Sequence, residues 1–196
     1  SVERPRYELL AQEEGFQIRR YPSLIVAETA MVSPSSDESD ASRDNSPFMA
    51  LAGFIGVIST PRNHARGTED PVPIAMTAPV LSPGDSTKMS FVMPSEFTMK
   101  SMPVPDDPAV TVSELAPTTY AVVTFSGWAR DQEMQKRATE LLQTLEKKGV
   151  ALKRDAAGQP VWLQARYDSP WVPAEKRTNE VLVELEHTPR AAAASL

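Results

Sequence analysis

Apolar positions along the chain follow two rhythms. From Ala129 to Lys148, Met134, Ala138, Leu141, Leu142 and Leu145 recur at steps of four, three, one and three. That spacing lines one face of an α-helix. Asp131 and Glu133 near its start and Lys147 and Lys148 near its end suit the helix dipole. Gly149 follows, where a left-handed cap is expected. A second helix is predicted from Ser46-Pro47, an N-cap residue followed by proline at the first helical position. Its body, Phe48 to Ile55, has no polar face. A helix apolar all round must be covered on both sides. A sheet can cover one side; the other calls for another protein surface, a partner or a ligand.

The second rhythm is that of strands. Phe16 to Tyr21, Leu24 to Val32, Ile74 to Leu81 and Met89 to Met93 form a first set. Val110 to Leu115, Thr119 to Ser126, Trp162 to Tyr167 and Glu180 to Leu185 form a second. The last alternates, with Val181, Val183 and Leu185 on one face and Glu180 and Glu184 on the other. Eight prolines between Pro71 and Pro108 restrict that region to strands and turns, and none interrupts 118–159.

Written in order, both halves read β-β-helix-β-β, over about residues 7–96 and 109–186. Each has a proline between its first two strands (Pro22 and Pro117). The expected fold is α+β: a duplicated β-β-α-β-β unit forming a twisted antiparallel β-barrel flanked by two helices. One domain is expected through residue 188, with a Pro- and Met-rich linker from Phe97 to Pro108. Ser33 to Asn45 reads as a mobile acidic loop, and residues 189–196 as a disordered Ala-rich tail.

Composition narrows the chemistry. The 196 residues include no cysteine and two histidines, His64 and His187. Thiol catalysis, disulfides, iron–sulfur clusters and thiolate-held haem are therefore excluded. A net charge of −6 argues against a nucleic-acid partner, which needs a basic face. No apolar run approaches the ~20 residues that span a bilayer. The charged first 15 residues hold no secretory core, and a chain beginning at Ser1 leaves room for a removed targeting segment. The expected location is the cytoplasm, or a plastid if a transit peptide has been removed.

Catalytic signatures are absent: no GxSxG, no HExxH, no P-loop, no GxGxxG after a strand. Asp37, Glu38, Asp40 and Asp44 lack the glycine and terminal glutamate of a calcium loop and read as solvated. No carboxylate pair is singled out by spacing. His64 lies in a polar loop after the first helix, where an exposed histidine is the plain reading and a metal or haem ligand the sharper one. Eight methionines suit either an irregular core or a pocket for a large flat apolar ligand beside Met49.

Several segments together resemble the SOUL/haem-binding protein family. Phe16-Gln17-Ile18-Arg19-Arg20-Tyr21 is similar to its Y-E-I-R-x-Y strand, and Leu51-Ala52-Gly53-Phe54-Ile55 to its L-x-x-Y-I helix end. Ile74-Ala75-Met76-Thr77-Ala78-Pro79-Val80 matches its K-I-x-M-T-A-P-V segment closely. Phe91 to Glu96, Met102 to Pro105 and Phe125-Ser126-Gly127 resemble its strand end, linker and F-x-G motifs. Tyr167-Asp168-Ser169-Pro170 and Asn179-Glu180-Val181 resemble its closing pair.

The resemblance implies a barrel flanked by two helices and reversible, non-covalent binding of haem or a related tetrapyrrole. By the same resemblance the pocket lies on the first helix, on the side of Phe48, Met49, Ala52 and Ile55, with Tyr167, Val181 and Val183 nearby. Where some members carry a histidine proposed as iron ligand, this chain has Arg20. A guanidinium has no lone pair for iron. Arg20, Lys176 and Arg177 are instead candidates to meet a propionate. Binding is then expected to rest on apolar contact, with metal-free porphyrin held about as well as haem. The leading expectation is a haem carrier or buffer without covalent chemistry. The alternatives are oxidative degradation of bound haem and a protein-interaction module using the first helix.

Overall fold

The computed structural model describes residues 1–31 and 46–187. The acidic loop from Ser33 to Asn45 and the Ala-rich tail therefore lie outside the described residues. The fold is α+β, as expected. Its strands are β1 (Glu8–Glu13), β2 (Phe16–Tyr21), β3 (Leu24–Ala30), β4 (Asn63–His64), β5 (Val80–Pro83), β6 (Lys88–Val92), β7 (Val104–Pro105), β8 (Thr111–Leu115), β9 (Thr118–Phe125), β10 (Trp162–Arg166) and β11 (Asn179–Glu184). The helices are α1 (Pro47–Ile55) and α2 (Asp131–Lys147), with a single 3₁₀ turn at Ala174–Lys176. The chain divides into two compact units. Unit 1 comprises Ser1–Pro5 and Leu24–Leu115, and unit 2 comprises Arg6–Ser23 and the chain from Ala116 onward.

In unit 1 an antiparallel sheet of order β5-β6-β3-β8 carries α1. The core joins Leu51, Phe54 and Ile55 of the helix to Ala27, Phe91 and Met102. The helix starts where the sequence places it: Ser46 Oγ accepts the Met49 N–H at 3.2 Å, and Pro47 needs no donor partner at the first turn. It ends at Gly56, φ 90°, where a Cβ would lie 2.4 Å from the Pro61 ring. Both the left-handed backbone and the proline contact require glycine.

The expected strand from Ile74 to Leu81 is mostly absent: apart from a single bridge between Thr77 and Glu3, pairing begins at Val80. Pro71, Pro73 and Pro79 have no N–H to give a ladder. Ile74 instead donates its N–H to Ile55 O at 3.0 Å and packs in the core beneath α1.

Unit 2 has the order β1-β2-β9-β11-β10. One face meets Met134, Ala138, Leu141 and Leu145 of α2 through Phe16, Ile18, Ala121, Val181 and Val183. The helix closes as predicted. Gly149 at φ 70° donates to Glu146 O and Val150 to Leu145 O, a Schellman cap. β1 was not expected: it is mostly exposed, lacks alternation and carries an irregularity between Leu9 and Ala11. An edge strand buries too little to leave a hydrophobic pattern.

The β-β-α-β-β order is met in the second half and, with β1 and the two-residue β4 added, in the first, yet the halves are not the units. β2 pairs with β9, and β3 pairs with β8. Each half's first strand thus joins the sheet built by the rest of the other half. The junctions Pro22-Ser23 and Ala116-Pro117 explain why β2–β3 and β8–β9 are not hairpins. A two-residue hairpin wants positive φ at its centre, which proline's ring forbids.

Candidate functional site

In unit 1, the four helix positions expected to face a ligand divide by exposure. Phe48 is 44% exposed and meets Phe91 edge-on at 5.6 Å. Met49 is half-buried, whereas Ala52 and Ile55 are buried. Part of the cover that α1 demands comes from the chain itself. The Arg62 N–H donates to Gly53 O at 2.9 Å, and the Arg62 stem lies 3.4 Å from where a Gly53 Cβ would sit. Buried Asn63 locks this loop down: its amide donates to Phe54 O at 2.7 Å and Val72 O at 2.9 Å, and its Oδ1 accepts the Val72 N–H at 2.8 Å. Large apolar side chains remain exposed at Phe48 on the helix and at Val57 and Ile58 just past its end.

His64 follows Asn63 directly. Its Nδ1 lies 2.6 Å from Asp106 Oδ1, and the two-residue β4–β7 pairing sets His64 opposite Val104. The ring is partly open to solvent, and Arg62 and Asp107 form a looser pair at 3.8 Å beside it. Sequence spacing gave no sign of this dyad, since its partners are 42 residues apart.

The other expected site residues belong to unit 2. Val181 and Val183 have no exposed surface and pack beneath α2. Arg20 is exposed and donates to Thr119 Oγ1 at 3.1 Å. Arg177 stacks 4.5 Å from the Trp128 ring and donates to the main-chain oxygens of Ser169, Val172 and Asp168. Most of its N–H groups are thus committed to holding the 168–178 loop. Tyr167 donates its hydroxyl to Glu180 Oε1.

Glu180 is the centre of an arrangement that alternation alone did not disclose. The face it shares with Glu184 is not a solvent face. Glu180 pairs with Arg19 at 2.9 Å, with both side chains under one-tenth exposed. Thr124 donates to the same carboxylate at 2.7 Å. Arg19 in turn donates to Gln17 Oε1 and Tyr21 Oη and stacks 4.2 Å from the Tyr7 ring. Burial works against the Arg19 charge, but Glu180 and the Tyr21 hydroxyl outweigh it and hold the guanidinium above its ordinary pKa. The signals in the sequence were an arginine between strand residues and the recurrence of Tyr167 and Glu180 in the closing motifs.

Three tyrosines are held protonated. Burial, then the neighbouring Glu180 charge, raises Tyr167. Burial raises Tyr21 against the opposing pull of Arg19. Burial and Glu184 push Tyr120 up to about 12. Above pH ~10 the unfolded chain releases phenolic protons that the folded chain keeps. The unfolded state then binds fewer protons, so stability falls as pH rises, by up to ~1.4 kcal/mol per pH unit for each phenol. A pH series of tyrosinate absorbance against circular dichroism should show these three ionising only as the fold opens. Reaching the plateau for all four tyrosines with the fold intact would contradict it.

Among the described residues no group of three or more His, Asp or Glu side chains is arranged to hold a metal ion. No described helix is long and apolar enough to cross a membrane. Comparison with curated proteins finds no match. Among solved structures, the chain is similar to the EcmrR C-terminal domain, at 12% identity and a TM-score of 0.54, covering 93% of this chain and 99% of that one. A hydrolase from Listeria innocua is similar at 14% identity and a TM-score of 0.50, covering 86% and 91%. At these identities the likeness speaks for the fold alone. A family model described as SOUL heme-binding protein matches residues 2–184. With the motifs of both halves in order along the α+β fold, the chain belongs to the SOUL heme-binding protein family.

Proposed function

We propose that this protein is a carrier or buffer for haem or a related tetrapyrrole, held non-covalently against the exposed apolar surface of α1. The observation that supports this most is the helix itself: it has no polar face, and its sheet and loop leave Phe48, with Val57 and Ile58 beyond its end, in solvent. A flat apolar macrocycle suits such a surface, since covering it removes apolar area from water at ~25 cal/mol per Å². The donor chemistry of unit 1 also fits an iron porphyrin. The macrocycle brings four nitrogens of its own, so apolar side chains such as Phe48 and Met49 can hold it without a metal cage in the protein. Bound haem would supply a redox-active iron; the residues of α1 would bind and orient it.

Two features favour carriage over turnover. The buried acids and phenols of unit 2 are engaged with one another: Glu180 accepts from Arg19, Thr124 and Tyr167. Phe48, Val57 and Ile58 each stand open to solvent, which suits release. Loading the protein with one equivalent of hemin and mixing it with excess apomyoglobin tests the reading. A carrier hands over its haem so that the metmyoglobin spectrum appears with total haem, assayed as the pyridine haemochrome, conserved. Loss of several equivalents of haem per protein, when hemin is supplied in excess with ascorbate in air and no apomyoglobin, would support a haem-degrading enzyme instead.

A further inference from the structure

We propose that the loop cluster at the start of α2 docks on an anionic phospholipid membrane surface, taking one headgroup phosphate between its arginines. The site lies wholly within unit 2 and is independent of the tetrapyrrole reading. Two segments, 126–131 and 166–179, are stitched together there. The Gly127 N–H donates to Ala174 O at 2.9 Å, and the Asn179 amide donates to Gly127 O at 2.9 Å. Arg166 donates to Ala129 O at 2.8 Å. Trp128 stands between these tied residues and is 57% exposed.

Trp171, at 90%, is the most exposed large apolar side chain among the described residues. It follows Pro170 and precedes Val172-Pro173. Arg177 braces this loop by donating to the main-chain oxygens of Ser169 and Val172, on either side of the indole. The same guanidinium lies 4.5 Å from the Trp128 ring. One arginine thus ties both tryptophans to one patch. Folding gains nothing from an indole left in water. The membrane–water interface, by contrast, suits a side chain that is apolar with one polar tip.

Charge selects the kind of surface. The chain carries a net −6, yet a cavity of about 160 Å³ here is lined by Trp128, Arg130, Arg166 and Arg177. It has room for several waters, and so for one phosphate group. Two nearby acids are already engaged: Asp131 pairs with Arg166 at 3.1 Å, and Asp168 accepts the Thr178 N–H. Among the described residues Arg130, Lys176 and Arg177 have no carboxylate partner, and Glu175 is the one carboxylate of the two segments outside these bonds. An anionic lipid surface attracts such cations, and its phosphates suit the guanidinium fork.

Co-sedimentation of the full chain with vesicles of phosphatidylcholine, alone or mixed with phosphatidylglycerol, tests the site. Wild type should bind the mixed vesicles with a blue shift of tryptophan emission, and pure phosphatidylcholine at least about tenfold more weakly. Salt at about 1 M, where the Debye length falls to about 3 Å, should release it. Arg130→Gln should weaken binding about fivefold, the worth of one basic residue near an anionic surface. Trp171→Ser should weaken it at least about tenfold and remove most of the blue shift, because the indole no longer leaves water. Both positions are exposed, so circular dichroism and urea midpoints should match wild type. No binding to the mixed vesicles at low salt, the result a protein-docking patch would give, would overturn the proposal. Binding that persists unchanged in the double variant Arg130→Gln/Trp171→Ser would put the contact on another surface and overturn it as well.

Discussion

Replacing Glu180 with alanine is expected to destabilise the protein by about 3–5 kcal/mol, the largest effect of any single substitution considered. The reason is not the worth of the Arg19–Glu180 pair as such. Taking two charges out of water costs nearly what their attraction returns, so an intact buried pair adds little. Removing one partner is different. Arg19 would remain almost fully buried with its carboxylate gone, leaving only Gln17, Tyr21 and the Tyr7 ring as partners. Thr124 and Tyr167 would lose their acceptor as well. Among the described residues no buried side-chain nitrogen or oxygen lacks a partner, so the alanine would create the first such defects. Urea unfolding measures the loss. The double variant Arg19→Met/Glu180→Leu should recover at least half of it, because no charge is left stranded. A single-variant loss below about 1 kcal/mol would mean that water reaches the carboxylate and that the network is not buried in solution.

Replacing Phe48 with aspartate is expected to raise the dissociation constant for hemin about thirtyfold or more. Removing the ring forfeits about 1.5–3 kcal/mol of apolar burial against a ligand, and the carboxylate must then be desolvated beneath it. At 1.4 kcal/mol per factor of ten, 2 kcal/mol gives roughly thirtyfold. Phe48 suits the test because it is largely exposed and contacts the core mainly through Phe91. Its far-ultraviolet circular dichroism should match wild type. Ala52→Glu, a natural choice from the sequence alone, does not isolate binding: Ala52 has no exposed surface, so a glutamate there disturbs packing first. Unchanged affinity in Phe48→Asp would place the ligand away from the start of α1.

Features written in neighbouring residues could be read before the structure was known. Ser46-Pro47 and Gly149 announce helix ends because a cap needs only the residues next to it. The run from Phe48 to Ile55 announces a helix needing cover because its apolar girth is local too. What stayed hidden depends on partners far along the chain. The hydrophobic pattern of β2 is the same whichever sheet it joins, so its pairing with β9 rather than β3 left no trace. Glu180 reads as the polar side of a strand, and only the arrival of Arg19 from the opposite end of the chain shows that this side is buried. His64 reads as a loop histidine until β7 brings Asp106 beside it. Ile74 to Leu81 misled for a different reason: its apolar residues suit a strand, but Pro79 within it and Pro71 and Pro73 just before it have no N–H for a ladder.

The candidate site follows the same division. Phe48 and Met49 on α1 were legible, and so was the need for something to cover the helix. The sequence did not reveal that Arg62 and Asn63 supply part of that cover, because the fold of the 57–74 loop is set by main-chain bonds to Gly53, Phe54 and Ile55. With those bonds made, Phe48 is the one residue of α1 left exposed, and Val57 and Ile58 stand exposed just past its end.

Binding of a tetrapyrrole by the wild-type chain is the central claim, and a hemin titration followed by difference absorbance at the Soret band tests it most directly. The account predicts a saturable red-shifted band that levels off at one equivalent, with micromolar or tighter affinity. A spectrum that stays the sum of free hemin and protein, or one that grows linearly without saturation, would contradict it.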